Sequence, residues 1–201
     1  FTSQVWEYKN QKIDYDFIDK NILRTADKDI SSNMIKYVED IASKWNSVWW
    51  IIECHIKNPP SWLWEPVFGK IKSILASSML SIGWVLWFEY GAWFNTINLT
   101  WIDYNEWFES DWLKISSAHN NYNWVLWWIT TWEDIIFRVA IKPTSSIYTK
   151  QKTVDKNLNE IDFQISWRHD PCILPRVVPV IESMAAIDIL DLILLNNAKK
   201  Y

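Results

Sequence analysis

Tryptophan and glycine occur in an unusual ratio in this chain, which has 17 tryptophans and 3 glycines among its 201 residues. Glycine makes up about 7% of an average protein, because it alone adopts left-handed backbone conformations without steric cost. Several of the tryptophans stand in turn-like contexts, including the doublets at residues 49–50 and 127–128 and the proline-flanked Trp62 and Trp64. Tryptophan is a poor turn residue, so a fold with many tight turns needs glycine at these positions.

We interpret these tryptophans as glycines whose UGA codons have been translated as tryptophan. The alternative takes them literally, as aromatic platforms on which sugars or single-stranded nucleic acid stack, at about 1–3 kcal/mol per base. Such platforms need basic or polar neighbours and rigid strands, whereas the indoles here occur as adjacent pairs at turns. The pattern therefore favours glycine at these positions.

The charge balance makes some partners unfavourable. The chain has 20 basic and 24 acidic side chains, a net charge of -4 and a pI near 5.4, so no cationic field attracts nucleic acid or an anionic membrane surface. Its most apolar stretch, residues 176–195, is interrupted by Glu182, Asp188 and Asp191 and is typical of a buried helix rather than a membrane span. We expect neither nucleic acid nor a membrane as a partner.

The cysteines and histidines give no metal or disulfide pattern. Cys54 and Cys172 form no Cys-x-x-Cys motif and no multi-cysteine framework. This usage fits a reducing cytoplasm, which is the expected location. Cys54 and His55 fall inside a predicted strand and are expected to be packed core residues. His119 lies in a polar loop, where a surface position is favoured over a ligand contact.

Hydrophobic periodicity predicts both helices and strands. Helices are predicted over residues 32–44, with Ser31 or Ser32 as the N-cap, over residues 66–82, and over residues 176–196, with Pro179 in the first turn. Strands are predicted at residues 48–57, 85–90, 134–142 and 161–166, with a polar, solvent-exposed excursion at residues 151–160. The order has no regular βαβ rhythm and therefore predicts an α+β fold, in a single domain.

One candidate site is the segment Lys142-Pro143-Thr144-Ser145-Ser146, which follows an apolar strand. It resembles a phosphate cradle, because lysine supplies a point charge, the hydroxyls and backbone N–H groups supply directed donors, and proline restrains the loop. The alternative is an ordinary polar turn.

A second candidate precedes the last helix, where Arg168, His169, Asp170 and Cys172 lie within five positions. Arginine can bind a phosphate or carboxylate through two hydrogen bonds, and aspartate or histidine can move a proton. The alternative is a salt-bridged turn with a half-buried cysteine. A metal site is disfavoured, since His169 and Cys172 lack two further ligands at suitable spacing.

With glycine in place of tryptophan, five segments in order resemble the chorismate synthase family; they are residues 46–50, 60–68, 125–129, 140–147 and 167–172. The resemblance extends from Ser3 to Met184 and so covers nearly the whole chain. Asn123 also stands where that family has glycine. The N-terminus has no initiator methionine, and we expect the chain to be a C-terminal portion that lacks a family N-terminal part of roughly 150 residues, about one ordinary domain.

The resemblance implies a β-α-β sandwich fold, a homotetramer, and a lyase of the shikimate pathway that makes the precursor of the aromatic amino acids. Its reaction converts 5-enolpyruvylshikimate 3-phosphate to chorismate and phosphate by an anti-1,4-elimination. It requires reduced FMN, with NADPH associated with flavin reduction. The positions that match the family's FMN contacts are Gly83, Trp84, Trp127, Lys142, Pro143, Thr144, Ser145, Ser146 and Arg168. Asp170 matches the aspartate proposed to relay a proton near the flavin.

Trp127 carries the clearest conflict between the literal sequence and this assignment. A flavin approached by backbone at that position would clash with an indole, so the match requires glycine there. Without the N-terminal part, the chain alone is expected to be inactive. The alternative is a non-catalytic module that binds flavin or another phosphorylated ligand through the same cradle.

Overall fold

The computed structural model describes residues 1–63, 65, 68–91, 93–105, 108–110, 115–117, 125–126, 129–130, 133–165 and 173–199. The helices are α1 (Lys28–Ser43), α2 (Ile71–Ser81), α3 (Trp101–Tyr104) and α4 (Leu174–Ala198), with 3₁₀ turns at Tyr15–Lys20 and Trp93–Asn98. The strands are β1 (Thr2–Val5), β2 (Tyr8–Lys9), β3 (Trp50–Ile56), β4 (Val85–Tyr90), β5 (Phe108–Ser110), β6 (Ile115–Ser117), β7 (Val125–Leu126), β8 (Ile129–Thr130), β9 (Ile135–Ile141), β10 (Gln151–Val154) and β11 (Glu160–Phe163).

Within the described residues, five strands form one sheet in the order β2-β1-β3-β9-β4. Strand β1 is antiparallel to both of its neighbours, with Val5 opposite Tyr8 on β2 and opposite Trp50 on β3. The remaining strands form the antiparallel hairpins β5-β6, β7-β8 and β10-β11.

Strand β9 shows why this part of the chain is extended. Its side chains alternate in burial along the whole strand, and Ile135, Phe137, Val139 and Ile141 are all fully buried. Successive side chains of a strand point to opposite faces, so one face of β9 is apolar and belongs to the core. Arg138 lies on the other face.

The described chain forms two compact units, and strands β3 and β9 each pass from one unit to the other. Unit 1 comprises residues 1–52 and 140–179, and unit 2 comprises residues 53–139 and 180–201. The buried side chains of unit 1 include Val5, Leu23, Met34, Val38, Trp50, Ile52, Ile141 and Val177. Those of unit 2 include Leu63, Ile71, Leu75, Met79, Phe137, Ile181, Ala185 and Leu192.

Helix α1 begins at Lys28, earlier than predicted, because its N-cap is Asp27 and not Ser31 or Ser32. The carboxylate of Asp27 accepts hydrogen bonds from the backbone N–H groups of Asp29, at 2.9 Å, and Gln11, at 2.7 Å. Burial by itself raises the pKa of Asp27, but these and further backbone donors outweigh it, and the pKa is lowered. Ser31 is a buried residue inside the helix.

Most predicted elements are confirmed, but the ends of two strands and the starts of helices α2 and α4 differ from the prediction. The strand at residues 85–90 matches the prediction, and the strands predicted at residues 48–57 and 134–142 are each slightly shorter. Helix α2 begins at Ile71, while Pro66 lies outside the described residues. Helix α4 begins at Leu174, so Pro179 lies inside the helix rather than in its first turn. No helix in the described ranges is long and apolar enough to cross a membrane.

The polar segment at residues 151–160 is exposed, as predicted, but it is not irregular. Its first residues form β10, which pairs with β11 in a hairpin whose register places Gln151 opposite Phe163. All eight strand residues are exposed. Strand β10 was not predicted, because Gln151–Val154 has no alternation of polar and apolar residues. Strand β11 corresponds to the strand predicted at residues 161–166, but it begins at Glu160 and ends at Phe163.

The backbone supports the glycine interpretation at three tryptophans. Among the described residues, six that are not glycine have a left-handed φ, and three of these are Trp6 (53°), Trp45 (53°) and Trp62 (66°). A residue with a Cβ is disfavoured there by about 1–2 kcal/mol. Each of these indoles is more than half exposed. Trp50 differs, because its ring is 1% exposed in the core of unit 1.

Candidate cofactor-binding loop

The loop at residues 142–146 directly follows β9 in unit 1. The last residue of the strand, Ile141, is buried, and the chain then turns outward. Lys142 and Ser145 are exposed, whereas Pro143, Thr144 and Ser146 are half-buried. The loop therefore presents one cation and one hydroxyl to solvent.

The loop is attached to the segment that follows α1. The Ser47 hydroxyl donates a hydrogen bond of 2.7 Å to the carbonyl oxygen of Thr144. The backbone N–H of Tyr148 donates to the carbonyl oxygen of Trp45 at 3.3 Å, and the rings of these two residues lie with centroids 4.2 Å apart. These contacts hold the loop at two points, and a restrained loop loses less conformational entropy when it binds a ligand.

The C-terminal end of the loop is closed by further hydrogen bonds. The backbone N–H of Ile147 donates to the carbonyl oxygen of Ser145 at 2.9 Å. The side-chain amide of Gln164 donates to the carbonyl oxygen of Tyr148 at 2.7 Å. Since Pro143 has a fixed φ, the described segment has restraints at its start and at its end.

The donor set of this loop suits an anionic oxygen. The Lys142 ammonium is a compact charge with three N–H donors, and the Ser145 hydroxyl adds a directed donor. No carboxylate occurs between residues 142 and 150 that would repel an anion. The residues present therefore fit the phosphate or another polar edge of a flavin nucleotide.

Gly83 and Trp84 lie in unit 2, in the turn between α2 and β4. The backbone N–H of Val85 donates to the carbonyl oxygen of Ile82 at 2.9 Å and closes this turn. A Cβ at Gly83 would meet nothing within 4 Å, so its side is open to solvent. Trp84 is 52% exposed. The space beside Gly83 allows a ligand to approach the backbone closely.

Trp127, Arg168 and Asp170 lie outside the described residues. Their assignments to flavin binding and to proton relay stay predictions. The structure brings together the five residues of the loop, and it places Gly83 and Trp84 in the other unit.

A buried ionic cluster in unit 2 was not expected from the sequence. His55 Nε2 lies 2.7 Å from Glu53 Oε1, and Arg138 Nε lies 3.2 Å from Glu53 Oε2. All three side chains are at most 16% exposed. The spacing of Glu53 and His55 by two residues on one strand is the signal that places them on the same face. The prediction that His55 is packed is confirmed, although its surroundings are ionic.

Cys54 points away from this cluster, since it lies between Glu53 and His55 on the same strand. Burial raises the pKa of the Cys54 thiol to about 12. The thiol therefore stays protonated and is a poor nucleophile at neutral pH. In the ranges that the structure describes, no group of three or more histidine, cysteine, aspartate or glutamate side chains is able to hold a metal ion.

Mixed helices and strands define an α+β fold, and the restrained loop after β9 carries donors that suit an anionic ligand. Residues 2–194 match the family profile of chorismate synthase. The chain therefore belongs to the chorismate synthase family.

Individual relatives agree with this assignment. The chain is 38% identical over 186 residues to the chorismate synthase of Azobacteroides pseudotrichonymphae genomovar. CFP2, covering 92% of this chain and 52% of that protein. It is 35% identical over 195 residues to the chorismate synthase of Prochlorococcus marinus strain MIT 9312, covering 96% and 53%. The chain thus spans about half the length of the curated relatives that it matches.

A solved structure confirms the fold. A crystal structure of chorismate synthase superposes with a TM-score of 0.72 at 20% sequence identity, covering 91% of this chain and 48% of that chain. The predicted α+β class, of the chorismate synthase type, is confirmed.

Proposed function

We propose that this chain is part of a chorismate synthase, a lyase that converts 5-enolpyruvylshikimate 3-phosphate to chorismate and phosphate. The observation that carries the proposal is the restrained loop at residues 142–146, with Lys142 and Ser145 exposed, in a chain of this family. The product class places the enzyme in the shikimate pathway, which leads to the aromatic amino acids.

The reaction removes a proton and a phosphate from one ring and creates a double bond, without net oxidation or reduction. Bound reduced FMN would supply an electron-rich ring beside the substrate, and NADPH is the expected source of its reducing equivalents. The protein must hold two anionic molecules and move one proton.

Lys142 binds an anionic oxygen of the flavin or its polar edge. Charge-assisted hydrogen bonds of this kind are short and about twice as strong as neutral ones. Ser145 orients the same group through its hydroxyl, and Ser47 keeps the loop in place through the bond to Thr144. Pro143 and Ser146 complete the loop that positions these donors.

Gly83 and Trp84 contact the flavin from a turn whose glycine side is open. A glycine at position 127 would allow the flavin to pass close to the backbone, which an indole would prevent. Arg168 binds an anionic group through its guanidinium fork. Asp170 receives or relays the proton that leaves the ring, a task for which a carboxylate beside an arginine is suited.

The chain alone is proposed to be inactive, because it matches only about half of each relative. The complete enzyme is proposed to be a cytoplasmic homotetramer. Its partners are the phosphorylated substrate and the flavin, with no nucleic acid and no membrane.

The test restores the full family length by joining this chain to the part of the Azobacteroides relative that lies outside the matched residues. Release of phosphate from 5-enolpyruvylshikimate 3-phosphate is measured without oxygen in the presence of reduced FMN, with the intact relative as the control. We expect phosphate release from the joined protein and none from this chain alone. A folded joined protein that binds FMN without releasing phosphate would instead support the non-catalytic module.

A further inference from the structure

Thr130, the last residue of β8, holds a distant segment of unit 2 through three hydrogen bonds. Its hydroxyl donates to the carbonyl oxygen of Pro60 at 2.6 Å and accepts from the backbone N–H of Leu63 at 2.9 Å. Its own carbonyl oxygen accepts from the backbone N–H of Trp62 at 2.9 Å. We call residues 60–63 the supporting segment.

The contact between Thr130 and the supporting segment lies inside the protein. Thr130 and Leu63 are each 1% exposed. Trp62 has a left-handed φ of 66°, and the successive N–H groups of Trp62 and Leu63 both donate to Thr130. Without the hydroxyl, the buried N–H of Leu63 would lose its partner, which costs more than one hydrogen bond normally contributes.

Thr130 belongs to a hairpin with a very short connection. The register of β7 and β8 places Leu126 opposite Ile129, so residues 127 and 128 alone join the two strands. A connection of two residues has few backbone conformations, and its placement follows from that of the strands. The bonds that hold Thr130 therefore also determine where position 127 is presented.

The two stretches that meet at Thr130 both belong to the segments that resemble the family. Residues 125–129 include position 127, which matches a flavin contact. Residues 60–68 have no task in the proposed function. Their contact with Thr130 provides one, because the supporting segment is the structure to which the hairpin is attached.

We propose that Thr130 is a positioning residue, which holds the β7-β8 hairpin on the supporting segment so that the backbone at position 127 meets the flavin. This inference rests on the proposed function, in which position 127 contacts FMN. Thr130 acts through the hairpin, since its only O–H proton is donated to Pro60. Binding groups must be held within about 0.5 Å of their productive position, so a loosened hairpin binds FMN more weakly.

Variants of the joined protein test this role, and Trp127→Gly is present in all of them because the flavin contact requires it. The joined protein with Trp127→Gly alone is the reference. Thr130→Val keeps the shape of the side chain and removes the hydroxyl, whereas Thr130→Ser keeps the hydroxyl. Thr25→Val is the matched control, since Thr25 is fully buried and its hydroxyl donates to Asn10 at 2.7 Å.

FMN affinity is measured by fluorescence titration, and stability by urea unfolding without FMN. We expect Thr130→Val to bind FMN about tenfold more weakly than the reference, and Thr130→Ser to bind within about twofold of it. Thr25→Val should lose stability and keep its FMN affinity. Rescue by serine separates the hydroxyl from the shape of the side chain.

Three outcomes overturn the inference. Lower stability of Thr130→Val with unchanged FMN affinity would show that Thr130 only stabilises unit 2. Weaker binding by Thr25→Val as well would show a general effect of destabilisation. A folded reference protein that binds no FMN would contradict the proposed function itself, and the role of Thr130 with it.

Amide hydrogen exchange of the reference protein covers the case in which Thr130→Val does not fold. Exchange at Trp62 and Leu63 requires release of their bonds to Thr130, so saturating FMN should slow it by about tenfold. Asn58, whose N–H donates to Asp134 Oδ1 at 2.9 Å, is the control and should exchange at the same rate with and without FMN. Unchanged exchange at Trp62 and Leu63, or equal slowing at all three amides, would overturn the inference.

Discussion

The Ser47 hydroxyl and the Thr144 carbonyl oxygen lie 2.7 Å apart, although the two residues are separated by 97 positions in the chain. This hydrogen bond connects the segment after α1 to the loop after β9. It determines where the Lys142 ammonium and the Ser145 hydroxyl are presented. The loop at residues 142–146 is thus held by a residue that carries none of its donors.

Replacing this hydroxyl is expected to loosen the loop. In the full-length protein, Ser47→Ala should weaken FMN binding by about 0.5–1.5 kcal/mol, the usual net contribution of one hydrogen bond. FMN affinity is measured by fluorescence titration. Ser32→Ala, at an exposed position of α1, is the control and should leave the affinity unchanged. Equal affinities for all three proteins would show that the anchor does not matter for binding.

Removing the cation of the loop should have a larger effect. Lys142→Ala in the full-length protein is expected to weaken FMN binding by about 1.5–3 kcal/mol, as for a charge-assisted contact. Lys152→Ala, at an exposed position on β10, is the matched control for the loss of one surface charge. An FMN affinity for Lys142→Ala that equals that of the control would remove this lysine from the site.

Asp170→Asn keeps the shape of the side chain and removes the base. If Asp170 relays the proton, the full-length variant should bind reduced FMN and substrate nearly as before, while turnover falls by roughly 10²–10⁴. Single-turnover elimination is measured at saturating flavin and substrate. If the residue only caps a turn or pairs with Arg168, stability or cofactor affinity should fall together with the rate. Unchanged turnover would rule out the relay.

Backbone conformation at Trp62 and burial at Trp50 predict opposite effects of a glycine substitution at these two positions. Trp62→Gly should stabilise this chain by about 1 kcal/mol, because Trp62 has φ 66° and is 62% exposed. Trp50→Gly should destabilise it by about 3–5 kcal/mol, since it empties a fully packed ring site. Both are measured by urea unfolding. The intact mass of the natural polypeptide then shows whether these positions carry glycine, and a destabilised Trp62→Gly would contradict the argument from φ.

Asp188 predicts a pH dependence of unfolding in unit 2. Its Oδ1 accepts a 2.7 Å hydrogen bond from the Ser78 hydroxyl, while Oδ2 is buried and accepts no hydrogen bond from any residue that the structure describes. Burial, assisted by the neighbouring charge of Asp191, raises the pKa of Asp188 from its ordinary value of 3.8. The folded state therefore holds this proton more tightly than the unfolded state does.

The contribution of protonated Asp188 to the free energy of unfolding is fully present below pH 3.8, and it is lost as the pH rises through the raised pKa. Asp188→Asn should remove this loss and stabilise the chain at neutral pH by about 1–3 kcal/mol, the typical cost of an uncompensated buried polar group. Unfolding is measured between pH 4 and 8. Glu182→Gln, at an exposed position of the same helix, should not change the profile. An Asp188→Asn profile parallel to that of the unchanged chain would contradict the prediction.

Local patterns in the sequence were sufficient for much of the fold. The alternation along Ile135–Ile141 predicts β9 because every second side chain enters the core. The order of short motifs was enough to indicate the family. The loop at residues 142–146 was identified from its residue types alone, since lysine, proline and hydroxyl side chains suit an anion whatever their neighbours are.

The tertiary structure decided what depends on residues far apart in the chain. No local pattern connects Ser47 with Thr144, or Glu53 with Arg138, because such pairs form only when the strands that carry them become neighbours. The predicted start of α4 at residue 176 is two residues too late, because Pro179 is typical of a first turn, yet the buried Leu174 already belongs to the helix. Sequence thus determined which elements and donors are available, and packing determined which of them are held together, since burial and long-range hydrogen bonds are properties of the folded chain.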